Sequence, residues 1–196
     1  MKHKHFNLIE IALAIAILAI GLTAIVSLFP VGFNEIRDSI GENYSSEAAD
    51  SMLAYIARES YENNGDTWDE LFSYGGTIPI SKPVVATNGT LNPAIWGTAV
   101  EGNIYDITDT NATPSTTNGI FGLMVKSSEG SVSDFTGEVL IWKSPVQNIR
   151  VAGEDIDSLG YNGAVALNIE ISWPVEKPYG QRKKNTYYLE LFNFNQ

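Results

Sequence analysis

The strongest constraint on this chain is a run of 19 uncharged residues, Ile11 to Phe29, built mostly from Ile, Leu and Ala. At about 1.5 Å per residue a helix of that length covers about 28 Å, close to the ~30 Å hydrocarbon core of a bilayer. The run is apolar on every side, so it is not the one-faced helix of a soluble domain. Lys2, His3, Lys4 and His5 stand before it as a short basic tail. Lys and Arg are retained on the cytoplasmic side of a membrane, which puts the N-terminus inside and residues after Pro30 outside. A secretory signal peptide has a shorter apolar core, about 7–15 residues, ending at a small-residue site. Leu22-Thr23-Ala24 offers such a site, but the apolar run continues past it through Phe29.

Glu10 departs from a plain anchor. It lies at the cytoplasmic edge of the run. A carboxylate at mid-bilayer costs roughly 2.5–3.5 kcal/mol, and less near the interface. Two readings follow: Glu10 sits at headgroup level, or it meets a positive partner at the same depth supplied by another chain.

Phe6-Asn7-Leu8-Ile9-Glu10, with the basic leader before it and the apolar helix after it, resembles the start of a mature type IV pilin or type II secretion pseudopilin. The resemblance covers about the first 60 residues and the rest in outline. It implies cleavage by a prepilin peptidase between His5 and Phe6 and methylation of the new N-terminal amine of Phe6. It also implies that Glu10, the fifth residue of the product, pairs with the amine of a neighbouring subunit during assembly on an inner-membrane platform. In that family a Gly usually precedes the cut, and this chain has His5 there.

The chain has 196 residues and a net charge of −11; without Lys2 and Lys4, 10 basic side chains face 23 acidic ones. An acidic surface repels nucleic acid and anionic lipid headgroups, so neither is expected as a partner of the head. There are no cysteines, which excludes disulfides, thiol nucleophiles and thiolate metal sites. His3 and His5 are the only histidines, so a processed chain lacks the commonest general base and metal ligand. No catalytic residue, cofactor or metal is assigned, and no enzyme activity is expected.

After the apolar run, Pro30 removes a helical hydrogen bond and Gly32 adds backbone freedom, which predicts a kink or locally melted segment near residues 26–33. Gly21 is a weaker soft spot. From Phe33 onward Ile36, Ile40, Tyr44, Ala48, Met52 and Ile56 recur every four residues, which predicts an amphipathic helix seating a sheet and ending near Asn63-Asn64-Gly65. Asp66 to Phe72 reads as a second short helix, with Trp68, Leu71 and Phe72 closing over the core. Residues 77–80 and 82–85 read as short extended pieces, and 108–119 as a polar surface loop.

Strands are expected at 119–127, 137–143, 148–152, 165–173 and 187–194. The alternation of Val165, Leu167, Ile169, Ile171 and Trp173 with Ala166, Asn168, Glu170 and Ser172 is the cleanest of these signals. Residues 174–185 then form the connecting loop of a hairpin. Trp142 and Trp173 read as core aromatics. Asp106 with Asp109, or Asp155 with Asp157, offers oxygen ligands without the spacing of a calcium loop. Asn88-Gly89-Thr90 and Asn111-Ala112-Thr113 match the short glycan acceptor pattern. Lys177, Arg182, Lys183 and Lys184 read either as a solvated loop or as a contact for the acidic face of a neighbour.

The expected fold class is therefore α+β and pilin-like, a long N-terminal helix packed on an antiparallel sheet. The organisation is a leader at 1–5, a transmembrane or filament-core half-helix at 6–29, an amphipathic half at 30–64 and a β-rich head at 65–196. The resemblance implies a structural subunit of a pilus or pseudopilus, whose partners are copies of itself or other pilin-like subunits. It would be held in the bacterial inner membrane, N-terminus cytoplasmic, before assembling into an extracellular or periplasmic filament. The alternative is a single-pass membrane protein whose acidic outer domain binds a partner without polymerising, a reading that His5 favours.

Overall fold

A computed structural model describes residues 7–61, 66–84, 96–107, 119–126, 133–151, 154–158 and 160–193. Among them are helices α1 (Leu8–Tyr61) and α2 (Asp66–Phe72), followed by strands β1 (Trp96–Glu101), β2 (Ile104–Ile107), β3 (Ile120–Lys126), β4 (Ser133–Ser144), β5 (Gln147–Val151), β6 (Glu154–Ser158), β7 (Ala164–Trp173) and β8 (Lys183–Phe192). Six strands form one sheet in the order β1-β2-β3-β4-β7-β8. Every pairing in it is antiparallel, and β5 and β6 form a separate hairpin between β4 and β7. This is the α+β, pilin-like layout expected from the sequence. The chain divides into two compact units, the first ending at Ile40 and the second beginning at Gly41.

In the first unit α1 is helical without interruption through Gly21, Pro30 and Gly32, so the segment expected to melt near 26–33 is helical. In the second unit α1 buries Gly41, Ser45, Ala48, Ala49, Met52, Ile56 and Ser60. That face corrects the expected stripe, because Ile36 and Ile40 are 58% and 45% exposed. A helix turns about 100° per residue, so a strict spacing of four drifts about 40° per step. Over the five steps from Ile36 to Ile56 the stripe has gone more than halfway round the cylinder. Only its last members share a face, and small residues between them complete that face. The expected helix end at 63–65 lies outside the described residues.

The buried face of α1 packs on one side of the sheet. Phe121 and Leu123 of β3, Val139 and Ile141 of β4, Val165 to Trp173 at alternate positions of β7, and Leu191 of β8 form this core with Trp68 and Phe72 of α2. Ser45 ties the layers with polar contacts. Its hydroxyl lies 2.9 Å from the Tyr187 hydroxyl and accepts from Asn185 Nδ2 at 3.2 Å. Burial of this apolar surface, at roughly 25 cal/mol per Å², is the main stabilising term.

Gly41 has a packing reason. A Cβ there would lie 2.2 Å from Trp173 Nε1, against an indole that is itself 4% exposed and packed on Phe135. Glycine normally weakens a helix interior by about 1 kcal/mol relative to alanine. Here the sign reverses: Gly41→Val should destabilise by about 1–3 kcal/mol through overpacking, read as a lowered urea midpoint of the full chain in detergent. An unchanged midpoint would show that Trp173 moves freely.

Several expectations need correction. β1, β2 and β6 carry no sequence signal strong enough to have been identified. The described part of 77–85 joins no sheet: it bends at 77–78 and 80–81 and is irregular at 79 and 82–84, with Ile78 buried. β8 begins at Lys183, so the connecting loop after β7 is shorter than expected. Trp173 is in the core, but Trp142 is not. It sits half-buried on the opposite face of β4, with Lys82 Nζ 5.6 Å from its ring centre.

Candidate functional site

Two features of the fold go beyond packing. The first is the apolar part of α1. From Leu8 to Phe33 its large side chains are exposed, with Leu8 at 80% and Ile20 at 72%. It is long and apolar enough to cross a membrane, and none of its most apolar stretch is buried within the protein. Its few hydroxyls are satisfied locally. Thr23 Oγ1 donates to the Ala19 carbonyl at 2.8 Å, and Ser27 Oγ to the Ala24 carbonyl at 2.7 Å. A helix in hydrocarbon must pair its polar groups internally, and these two hydroxyls are paired in that way.

Glu10 is exposed and lies in the first turn of α1, where its charge opposes the positive end of the helix dipole favourably. His5 and Phe6 lie outside the described residues. Gly21 and Gly32 have nothing within 4 Å of where a Cβ would stand, so no contact within the chain requires glycine at either place.

The second feature is a buried ionic network on the face of the sheet turned away from α1. Alternation along β4 and β7 puts Glu138, Ser172 and Glu170 there, and the registers set Glu138 opposite Ser172 and Ser172 opposite Lys184. The loop after β7 folds over this face. Arg182 Nη1 donates to Glu138 Oε2 at 2.5 Å, with both side chains at most 1% exposed. The same guanidinium donates to the Val175 carbonyl at 3.1 Å and, through Nε, to the Lys177 carbonyl at 2.8 Å. Lys82 donates to Glu170 Oε2 at 2.5 Å, and Tyr179 donates its hydroxyl to Glu170 Oε1. Burial pushes the Glu138 carboxyl above the usual carboxylate range, and Arg182 pulls against that rise. The Tyr179 hydroxyl is raised by burial and by its bond to Glu170.

The expected basic cluster therefore separates into different roles. Arg182 is a buried latch holding the loop, whereas Lys184 lies over the Tyr179 ring at 3.5 Å and is exposed. Sequence reasoning missed Glu138 and Glu170. Both sit at alternate strand positions that read as solvent-facing, and nothing local signals that a later loop covers them. Among the described residues no group of three His, Cys, Asp or Glu is placed to hold a metal. Asp106 is in β2, Asp155 and Asp157 are in β6, and Asp109 lies outside the described residues.

Lys143 is a third unexpected group. It is fully buried on the core side of β4, and its Nζ donates to the carbonyls of Ser73 at 2.7 Å and Leu71 at 3.3 Å. It thus adds a second donor to carbonyls at and just past the end of α2 that already accept from Ile78 N and Gly76 N. Burial lowers its pKa to about 8. Between about 8 and the ordinary lysine value of about 10.4 the unfolded chain binds a proton that the folded chain does not. Stability from this group therefore rises with pH across that window. Relative to Lys143→Met, the wild-type chain should gain up to roughly 3 kcal/mol from pH 7.5 to 10.5, read by chemical unfolding at each pH. Parallel curves for the two chains would overturn this.

Compared with known proteins, the chain matches no family model, no curated protein and no solved structure at a significant level.

Proposed function

We propose that this chain is a structural subunit of a type IV pilus or pseudopilus-like filament, assembled by lateral packing of its N-terminal helices. The observation that carries the reading is a wholly exposed apolar helix with a single carboxylate, Glu10, in its first turn, on a chain whose second unit is a helix-backed antiparallel sheet. Before assembly the helix rests in the inner membrane with its N-terminus cytoplasmic. In the filament its apolar surface moves from lipid to a bundle of like helices, so it stays dry in both states. Phe6 is the mature, methylated N-terminus and Glu10 the assembly residue; Pro30 and Gly32 supply the soft segment that packing can bend.

The test is intact mass and N-terminal sequence of the chain from native membranes or sheared filaments. A chain beginning at Phe6, carrying the extra mass of one methyl group, supports pilin-type processing. A chain still beginning at Met1 favours the non-polymerising membrane protein, the reading that His5 before the cut supports.

A further inference from the structure

The first unit carries an apolar stripe that outlasts its membrane run. Phe29, Phe33, Ile36 and Ile40 are 55%, 66%, 58% and 45% exposed. They follow one another at spacings of four, three and four, which at about 100° per residue keeps them within about 60° of the helix surface. Phe29 and Phe33 stack with ring centres 6.3 Å apart. On the same count Glu35 and Asp38 fall well round the helix from the stripe. Arg37 flanks it on one side, and Gly32 and Ser39 on the other.

Lipid does not cover the far end of this stripe. Leu8–Phe29 spans about 33 Å, already the thickness of the hydrocarbon core. Ile36 and Ile40 stand about 10 Å and about 16 Å further along, past a headgroup layer about 5–8 Å thick. Moving the helix until Ile40 entered hydrocarbon would draw in Glu35, Arg37 and Asp38. In a single copy the two isoleucines therefore face water, where covering them is favourable. Inside the bilayer, pairing of apolar helices gains no such term, since lipid tails are as apolar as leucine. The drive to pair sits at Ile36 and Ile40.

We infer that α1 pairs in parallel with α1 of a second copy in the membrane, along Phe29, Phe33, Ile36 and Ile40. The spacing of four, three and four is that of helices packed along one seam. The occupant is a second copy because copies held in one membrane share an orientation and carry the same stripe at the same height, so two stripes meet residue for residue. Charge does not oppose this. Glu35 and Asp38 stay outside the seam, and Arg37 faces the Gly32 and Ser39 flank of the other copy rather than another cation. The seam ends with the first unit, whose last residue is Ile40. This inference rests on the membrane placement proposed above and not on polymerisation, and it makes the membrane-held form a pair.

The chain has no cysteines, so single introduced ones report neighbours of the full chain in native membranes. Ile36→Cys and Ile40→Cys lie in the seam, and Asn34→Cys and Glu35→Cys lie at a similar height outside it. Under mild oxidation at least one seam variant should give roughly tenfold more disulfide dimer than the other two, whose Cβ atoms are turned beyond disulfide reach. Co-expressed copies with two different tags should give the mixed dimer, which identifies the second copy. The dimer should persist in 1 M salt, because the contact is apolar. Ile36→Asp added to the Ile40→Cys chain should cut it roughly tenfold, since the carboxylate would be desolvated in the seam. Equal yields at all four positions, no dimer at any, or loss of the dimer in 1 M salt would overturn the inference. So would adducts formed only with a chain of another mass. Seam dimers in membranes of cells that shed no filaments would support the pair and count against the filament reading alone. Chain missing from the membrane fraction would remove the placement on which both depend.

Discussion

Arg182→Met should destabilise the second unit by about 3–5 kcal/mol, enough to unfold a marginal domain at 37 °C. The reason is what it leaves behind. Glu138 is 1% exposed, and Arg182 Nη1 at 2.5 Å is the cation that compensates its charge. Burial already holds the Glu138 carboxyl above its ordinary range, and removing Arg182 removes the largest pull in the other direction, leaving only that of Lys184. The variant should therefore regain stability as pH falls. With its folded pKa raised above the unfolded value, the folded state binds the proton first, so stability is lost as pH rises through that window and recovered on acidification. The double variant Glu138→Leu, Arg182→Met should recover most of the loss, since a buried pair replaced by apolar groups is often neutral or better. Some deficit should remain, because Arg182 also holds the Val175 and Lys177 carbonyls and hence the loop. Urea unfolding of the three chains at pH 5 and 7.5 reads all of this. A double variant as unstable as Arg182→Met would show that the guanidinium matters only through the loop carbonyls.

The same pair shows why part of the fold was legible in the sequence and part was not. Periodicity reports which residues share a side of an element, and it placed β7 within one residue of its observed ends. It says nothing about whether the second side is covered. Glu170 and Ser172 alternate correctly with the core residues and are nonetheless buried at 7% and 0%, because the loop after β7 and the chain around Lys82 close over them, and Ala166 on the same face is buried at 1% against Val146. Such burial depends on contacts between residues far apart in the chain, such as Arg182 with Glu138 and Lys82 with Glu170. The α1 stripe failed for another reason. A spacing of four looks regular in print but precesses around the helix, and the residues that complete the buried face are Gly41, Ser45 and Ser60, which carry no hydrophobic signal. β1 and β2 stayed hidden because both are short and β1 has no buried residue, so neither shows a clean alternation. The apolar run, by contrast, needs no distant partner to be recognised. Length and composition alone set it apart, and the structure leaves it exposed from Leu8 onward.

Glu10→Ala should leave membrane insertion unchanged and lower incorporation into filaments at least tenfold, a loss that corresponds to about 1.4 kcal/mol or more. The two effects separate because the carboxylate does nothing for anchoring. Near the interface an ionised side chain is tolerated at modest cost, and removing it makes the apolar run easier to insert. A helix held only by apolar packing has no preferred depth against an equally apolar neighbour, because sliding by a turn exchanges one Ile or Leu contact for another. A single charge at one end, paired with a positive group on the next chain, makes one depth favourable and leaves a desolvated charge unpaired at the others. Glu10→Gln should resemble Glu10→Ala, since an amide keeps the shape and loses the charge. The measurement is the ratio of variant to wild-type chain, expressed together, in sheared filaments against the same ratio in membranes. Equal ratios for Glu10→Ala would remove the register role and leave Glu10 as a first-turn carboxylate that favours the dipole of its own helix.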